Sequence, residues 1–241
     1  PKMIIMTLTK GVDKARGFLL ELFFPSFCLG CQKEGTYLCE DCKATLDISE
    51  FNYCLYNKNL TGLYFALPYK ERHLTRKLIH QFKYQPYIKD LAKTLALLLA
   101  EHFFLSGNNK EDVWHNSVLI PVPLDKNKLK SRGYNQAEEL SKELSKILKV
   151  PVISDNLIKI KSTKSQMELS KEERERNLQG AFAISPSSLR ATAKQSFNLK
   201  DKKLFLVDDV YTTGSTMEEC AKVLKQAGAK QVWGIAIARE E

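Results

Sequence analysis

An α/β fold, a parallel sheet flanked by helices with a small cysteine-rich module ahead of it, is predicted by three observations. Apolar runs of strand length alternate with helical repeats from about residue 63 to the end, the pattern of a parallel sheet with crossover helices. Residues 207–216, Val-Asp-Asp-Val-Tyr-Thr-Thr-Gly-Ser-Thr, read as a strand end, a hydroxyl-rich turn and a helix start. Near the other end, Cys28-Leu29-Gly30-Cys31 and Cys39-Glu40-Asp41-Cys42 form two CxxC pairs. The expected organisation is a leader at 1–24, a cysteine module at 25–55 and the α/β domain at 56–241.

In chain order, the apolar stretch 18–24 is short and interrupted by Glu21. It suits a helix packing on the module, or else a membrane-surface contact. No apolar run reaches the roughly 18 residues of a membrane span. The two CxxC pairs offer four thiolates, the tetrahedral shell that structural zinc prefers. Gly30 and Gly35 are expected to ease the turns. The chain is expected to have no cleavable signal peptide, so its thiols stay reduced and a pair of disulfides is disfavoured. With four sulfur ligands there is no open position, and the expected role of Cys28, Cys31, Cys39 and Cys42 is to hold a structural zinc. Cys54 has no evident partner, and Cys220 falls on an apolar helix face.

Residues 63–69 (Leu-Tyr-Phe-Ala-Leu-Pro-Tyr) make a strand. Leu74, Leu78, Ile79 and Phe82 then mark a helical stripe, and a leucine-rich helix is expected over 88–105. Residues 118–123 end in Pro121 and Pro123, which suits a strand leading into a ligand-facing loop. Ala137, Leu140, Leu144 and Ile147 give an amphipathic helix within 133–148. Ser170 and Glu173 form a capping box before a short helix, and 184–199, without periodicity, is expected to loop out. The run 204–207 leads into Asp208 and Asp209. Met217, Cys220, Ala221, Leu224 and Ala227 then share one helix face that closes at Gly228.

The turn at Thr212, Thr213, Gly214, Ser215 and Thr216 suits a phosphate. Unpartnered N–H groups at a helix start carry the positive end of the dipole, and the hydroxyls add donors. Asp208 and Asp209 would lie about one sugar width away, as acceptors for vicinal ribose hydroxyls. This segment resembles the type I phosphoribosyltransferase signature, whose ligand is phosphoribosyl pyrophosphate (PRPP) with Mg²⁺. Neither a Gly-Lys-Ser/Thr nor a G-x-G-x-x-G loop occurs there.

The chain of 241 residues is 44% hydrophobic and carries a formal charge of +9, which suits a polyanionic partner. The excess is local: residues 58–93 hold eight Lys and Arg against two acids, and Lys126, Lys128, Lys130 and Arg132 alternate. Ile120-Pro121-Val122-Pro123, Arg132-Gly133-Tyr134-Asn135-Gln136, and then Gln166, Leu169, Arg174, Asn177 and Ala181-Phe182 occur in an order that resembles ComF-type proteins. The resemblance runs from about residue 23 to 238. It implies a phosphoribosyltransferase-like domain behind a four-cysteine zinc finger, and a role in natural transformation, where single-stranded DNA enters the cytoplasm. The expected partners are single-stranded DNA, PRPP and other components of the uptake machinery. The expected location is cytoplasmic, or peripheral at the inner membrane.

Arg132 and Gln136 would border the sugar-phosphate site, and Lys70 and Arg72 would meet the pyrophosphate, with Arg76 and Lys83 in the same segment. Lys83, Lys126, Lys128 and Lys130 are the expected DNA contacts, with Tyr64, Tyr69, Tyr84, Tyr87 and Tyr134 as candidate stacking faces. Purine-salvage enzymes commonly place an aspartate where Thr212 stands, so the usual purine-base acceptor is disfavoured. His73, His80, His102 and His115 are scattered, and no general base is identified. A conventional phosphoribosyltransferase with an unknown acceptor, its zinc module purely structural, is the alternative.

Overall fold

The computed structural model describes residues 25–54, 58–69, 73–109, 111–161, 163, 171–186 and 202–240. The expected positions Lys70, Arg72, Gln166, Leu169 and Ser170 lie outside them, as does most of the expected loop at 184–199. Contacts divide the chain into two units between Leu46 and Asp47, earlier than the boundary expected after residue 55.

The described part of the smaller unit, residues 25–46, has little core. Cys28 and Cys39 are buried with Leu29, Leu38 and Leu46, and its only described helix, α1 (Glu40–Lys43), is a single turn. Backbone bonds from Cys28 N–H to the Lys33 carbonyl and from Gly35 N–H to the Ser26 carbonyl shape the first knuckle. Gly35 has φ +102°, as its turn requires, but Gly30 does not need its freedom: Gln32 takes the left-handed position, at φ 67°.

The larger unit begins with β1 (Tyr53–Cys54), β2 (Gly62–Pro68), α2 (His73–Lys83), α3 (Leu91–Leu105), α4 (Glu111–Trp114) and β3 (Ser117–Pro121). It continues with α5 (Lys126–Arg132), α6 (Gln136–Leu148), β4 (Leu157–Lys159), α7 (Lys171–Leu178) and β5 (Phe182–Ile184). β6 (Lys203–Tyr211), α8 (Ser215–Gln226) and β7 (Gln231–Arg239) complete it. The main sheet has the order β1-β2-β7-β6-β3, parallel except for the edge strand β1. β4 and β5 form a separate antiparallel pair.

Strand alternation sends successive side chains to opposite faces. Leu63, Phe65, Val118, Ile120, Leu204 and Leu206 meet Met217, Cys220, Ala221 and Leu224 of α8 in one cluster, so Cys220 is a core residue as expected. Gly234 has to lack a side chain there, because a Cβ would lie 2.8 Å from Met217 Sδ and 2.9 Å from Leu63 Cδ1. On the other face Tyr64 packs edge-on to Phe103 of α3, their ring centroids 5.7 Å apart, and Trp114 lies 4.9 Å from Phe205. His102 is wholly buried beside them and its Nδ1 lies 2.6 Å from the Ser49 carbonyl oxygen. Burial pushes its pKa down, so it is a neutral core histidine.

Among the described residues no helix is long and apolar enough to cross a membrane.

Candidate functional site

The carboxyl ends of β3 and β6 open into a cleft of about 1070 Å³, where ligands of parallel α/β sheets usually bind. One wall is the acid pair and the turn behind it. The strand does not stop before the acids: β6 stays paired with β7 as far as Tyr211 opposite Arg239, so Asp208 and Asp209 project from a rigid strand. The N–H of Asp209 donates to Asp208 Oδ1 at 2.9 Å, and that of Val210 to Asp209 Oδ1 at 2.9 Å.

Gly214 closes the turn at φ +77°, and a Cβ there would fall 2.2 Å from the Tyr211 hydroxyl. Only glycine lets the chain pass under that ring. The Thr213 and Ser215 hydroxyls lie 2.8 Å apart. α8 starts directly after Gly214, where the Ser215 N–H donates to Thr213 Oγ1 at a long 3.5 Å; N–H groups at a helix start are the ones that take anions. Glu218, one turn in, accepts from Asn59 N–H at 2.8 Å and Leu60 N–H at 3.1 Å. These bonds tie α8 to the approach to β2.

The facing wall is cationic. Six Lys and Arg side chains line the cleft (Arg76, Lys77, Lys83, Lys128, Arg132 and Lys159) against three carboxylates, Asp208, Asp209 and Glu240. Lys83, an expected DNA contact within the expected pyrophosphate segment, reaches the acids: its Nζ lies 3.0 Å from Asp209 Oδ1 and 2.9 Å from Oδ2. Burial works to lower its pKa, but the charges of Asp209 and Asp208 hold it above its ordinary value. Lys83 thus bonds Asp209 directly, whereas Asp208 has only the charge of Lys83 and the Asp209 N–H to offset its burial. Burial, then the neighbouring Asp209, pushes the Asp208 carboxyl up to about 7. Lys128 is lowered by burial and by Arg132 and Lys83, and Lys159 by burial and by Lys128. Lys128, Arg132 and Lys159 thus gather positive charge at that end of the cleft.

The expected DNA lysines do not form one surface. In helix α5, Lys128 and Arg132 are four residues apart and share the face that lines the cleft. Lys126 and Lys130, also four apart, are exposed and do not line it. The alternation that reads as a single row in the sequence is split by the 3.6-residue turn.

Each residue of the Arg-Gly-Tyr-Asn-Gln segment has a local task. Arg132 Nη1 donates to Gln136 Oε1 at 2.8 Å, and the guanidinium lies 5.7 Å from the Tyr84 ring centroid. Gly133 ends α5 at φ 80°. The buried Tyr134 donates to the Phe82 carbonyl at 2.6 Å, its phenol pushed to about 12 first by burial. Asn135 caps α6, accepting from Ala137 N–H at 3.1 Å, and donates to the Val122 carbonyl at 3.1 Å. Tyr134 and Tyr64 are both buried and offer no stacking face. Tyr69, Tyr84 and Tyr87 line the cleft.

In the smaller unit the Sγ atoms of Cys28, Cys31, Cys39 and Cys42 all lie within 4.8 Å of one another. Cys31 and Cys39 approach to 3.5 Å, and all four are free thiols. Zinc–sulfur bonds of about 2.3 Å in a tetrahedron put sulfurs roughly 3.8 Å apart, so the cluster fits a Cys₄ ion. Burial raises the Cys28 thiol, but backbone N–H groups of Cys31, Cys39 and Gly30 outweigh it and bring it to about 6. Burial and the neighbouring sulfurs push Cys42 to about 12. Four sulfurs this close cannot all ionise without a cation between them.

The Asp208 environment has a consequence for stability. A carboxyl whose folded pKa is raised contributes stability that is present below its unfolded value near 4. That contribution is lost as pH rises towards 7. Asp208→Asn removes the effect. Measured by urea unfolding, the parent should lose on the order of 2 kcal/mol relative to the variant between pH 5 and pH 8; parallel pH profiles would show that the carboxyl is not raised.

Comparison with known proteins matches the part of the chain that carries the acid pair and the turn at 212–216. A family model described as the phosphoribosyl transferase domain matches residues 92–239. Competence protein F of Haemophilus influenzae is 36% identical over 164 residues, covering 66% of this chain and 66% of that protein. DNA utilization protein YhgH of Escherichia coli K12 is 31% identical over 158 residues, 65% of this chain and 64% of that protein. Competence protein ComFC of Bacillus subtilis is 28% identical over 111 residues, 46% of this chain and 39% of that protein. The matches span 66% or less of these relatives' own lengths.

Proposed function

The chain belongs to the phosphoribosyl transferase domain family, with competence protein F and ComFC among its homologues, and we propose that it is a ComF-type factor of DNA uptake. In this reading it handles incoming single-stranded DNA and binds PRPP with Mg²⁺ in the cleft. The observation that carries the ligand is one cleft with two walls of opposite character. Paired carboxylates and a hydroxyl-rich helix start face six Lys and Arg side chains.

The residues fit PRPP chemistry. Asp208 and Asp209 accept from the two ribose hydroxyls. Thr212, Ser215, Thr216 and the first N–H groups of α8 take the 5′-phosphate. Lys128, Arg132 and Lys159 supply the charge that a diphosphate needs, and a bound anion would offset the burial and the mutual repulsion that lower Lys128 and Lys159. Mg²⁺ brought with the diphosphate would neutralise the leaving group. The four cysteines hold a structural zinc.

DNA handling rests on the names of the relatives and on the cationic excess. Neutralising phosphates releases counterions, with a slope of roughly −0.7 per contact for single strands. Four to six contacts then cost about three to four log units of affinity per tenfold rise in salt. Fluorescence anisotropy with a labelled oligothymidylate should show binding at low salt that falls with that slope and is indifferent to sequence. A protein that shifts with PRPP yet binds no strand even at low salt would be a conventional phosphoribosyltransferase instead.

A further inference from the structure

We propose that the cleft itself is the strand-binding site. The backbone of a single-stranded nucleic acid runs along α2 towards Lys128 and Arg132, so that strand and PRPP exclude one another. This rests on the proposed binding of single-stranded DNA, and adds the path of the strand and its competition with the sugar diphosphate.

The first observation is where the basic residues go. Residues 58–93 and 126–132 carry the local cationic excess, and the structure turns the cleft-facing members of both segments towards one space. On α2, His73, Arg76, Lys77 and His80 all line the cleft. Their spacing of three, four and seven residues puts them on one helix face. At 1.5 Å per residue that row is roughly 10 Å long. It leads to Lys83 and the acid pair. Lys128 and Arg132 come from the opposite helix, while Lys126 and Lys130 point elsewhere.

The second observation is aromatic. A simple polyanion needs only cations, whereas a nucleic acid also needs flat faces for its bases. Tyr84 is 37% exposed at the end of the α2 row. The His80 ring lies 4.9 Å from it and the Arg132 guanidinium 5.7 Å from its centroid. Tyr69 and Tyr87 line the same cleft. His80, Tyr84 and Arg132 therefore succeed one another along the path, flat faces beside a guanidinium.

The third is size. A cleft of about 1070 Å³ is at the top of the range of roughly 300–1,000 Å³ for sites that take one small ligand. It has room for a sugar diphosphate at the acid end or for a short length of strand. Lys128 and Arg132 would be shared by both, so the coupling is negative and reciprocal: each ligand weakens the other by the same factor.

The test is anisotropy of a labelled 20-nucleotide oligothymidylate with the full chain, with and without saturating PRPP and Mg²⁺, and inorganic polyphosphate as a competitor. Arg76→Gln with Lys77→Gln should weaken DNA binding about 10- to 30-fold near 0.1 M salt and reduce the salt slope by about 1.4. Lys126→Gln with Lys130→Gln should change it less than threefold. Tyr84→Ala should weaken binding several-fold with the slope unchanged, because it removes a stacking face and no charge. PRPP should raise the apparent Kd of the strand at least tenfold. Melting temperatures check that each variant folds.

DNA binding that is lost in Lys126→Gln/Lys130→Gln, kept in Arg76→Gln/Lys77→Gln and indifferent to PRPP would put the strand on the outer face of α5. That would overturn the proposal and leave the DNA reading intact. Polyphosphate binding as tight as DNA, with Tyr84→Ala silent, would reduce the cleft to a polyanion site and also overturn it. No strand binding by the parent protein at low salt would overturn the underlying reading as well.

Discussion

Replacing Asp208 and Asp209 together by asparagine should abolish PRPP binding while leaving the protein folded. In the parent, PRPP with Mg²⁺ at about 100 times its Kd should add about 2.7 kcal/mol to stability. For a domain of this size that corresponds to a rise in Tm of roughly 5–10 °C. Asparagine keeps the shape of both side chains and removes the charge that a ribose hydroxyl would donate to. The phosphate turn at 212–216 survives, but a helix start alone holds one phosphate and does not orient a sugar.

The two positions should not contribute equally. Asp209 is already held by Lys83 at 2.9 Å, so Asp209→Asn also leaves a half-buried ammonium without its nearest carboxylate and should lower Tm by itself. Asp208→Asn relieves a carboxyl raised to about 7, and should raise Tm in the ligand-free protein at pH 8 while still weakening PRPP. That opposite sign separates a ligand role from a structural one. A double variant whose Tm still rises with PRPP as in the parent would mean the sugar lies elsewhere.

Features whose chemistry is contiguous in the chain are readable without the fold. The segment 207–216 is one such case, because the acids, the glycine and the helix start lie within ten residues. The paired CxxC spacing is another, since two knuckles offer four sulfurs to one ion whatever path joins them. The features that escape depend on three-dimensional phase or on distant pairing. Lys126, Lys128, Lys130 and Arg132 look uniform in the sequence, and only a helix of seven residues divides them. Its single apolar member, Leu129, is 42% exposed and gives no stripe from which the phase could be read.

Lys83 finds Asp209 across 126 positions of sequence, which no local pattern encodes. β4 and β5 have three residues each and are brought together from far apart, too short for periodicity to register. β7 is different, because its signal is present in the sequence. Val232, Ile235, Ala236, Ile237 and Ala238 are all fully buried, the near-continuous apolar run of a central parallel strand. Tyr64 shows the converse failure: beside a basic segment it suggests a stacking face, yet it is packed among Phe103, Trp114, Phe205 and Trp233.

Removing the metal should unfold the smaller unit and spare the cleft. Apart from its sulfurs, the described part of that unit buries only Leu29, Leu38 and Leu46, and a segment below about 40 residues rarely folds on such a core without a metal or a cross-link. Zinc bound to four thiolates contributes on the order of 10 kcal/mol in small modules, far more than three leucines at roughly 2 kcal/mol each. The purified protein should therefore carry one zinc per chain by elemental analysis. Cys39→Ser, or treatment with a strong chelator, should release it and expose residues 25–46 to limited proteolysis. The larger unit has its own sheet and helices, so its PRPP-dependent rise in Tm should persist in the Cys39→Ser protein. Intact protein without zinc, or a zinc-free variant whose segment 25–46 resists protease like the parent, would show that the four cysteines serve something other than a structural ion.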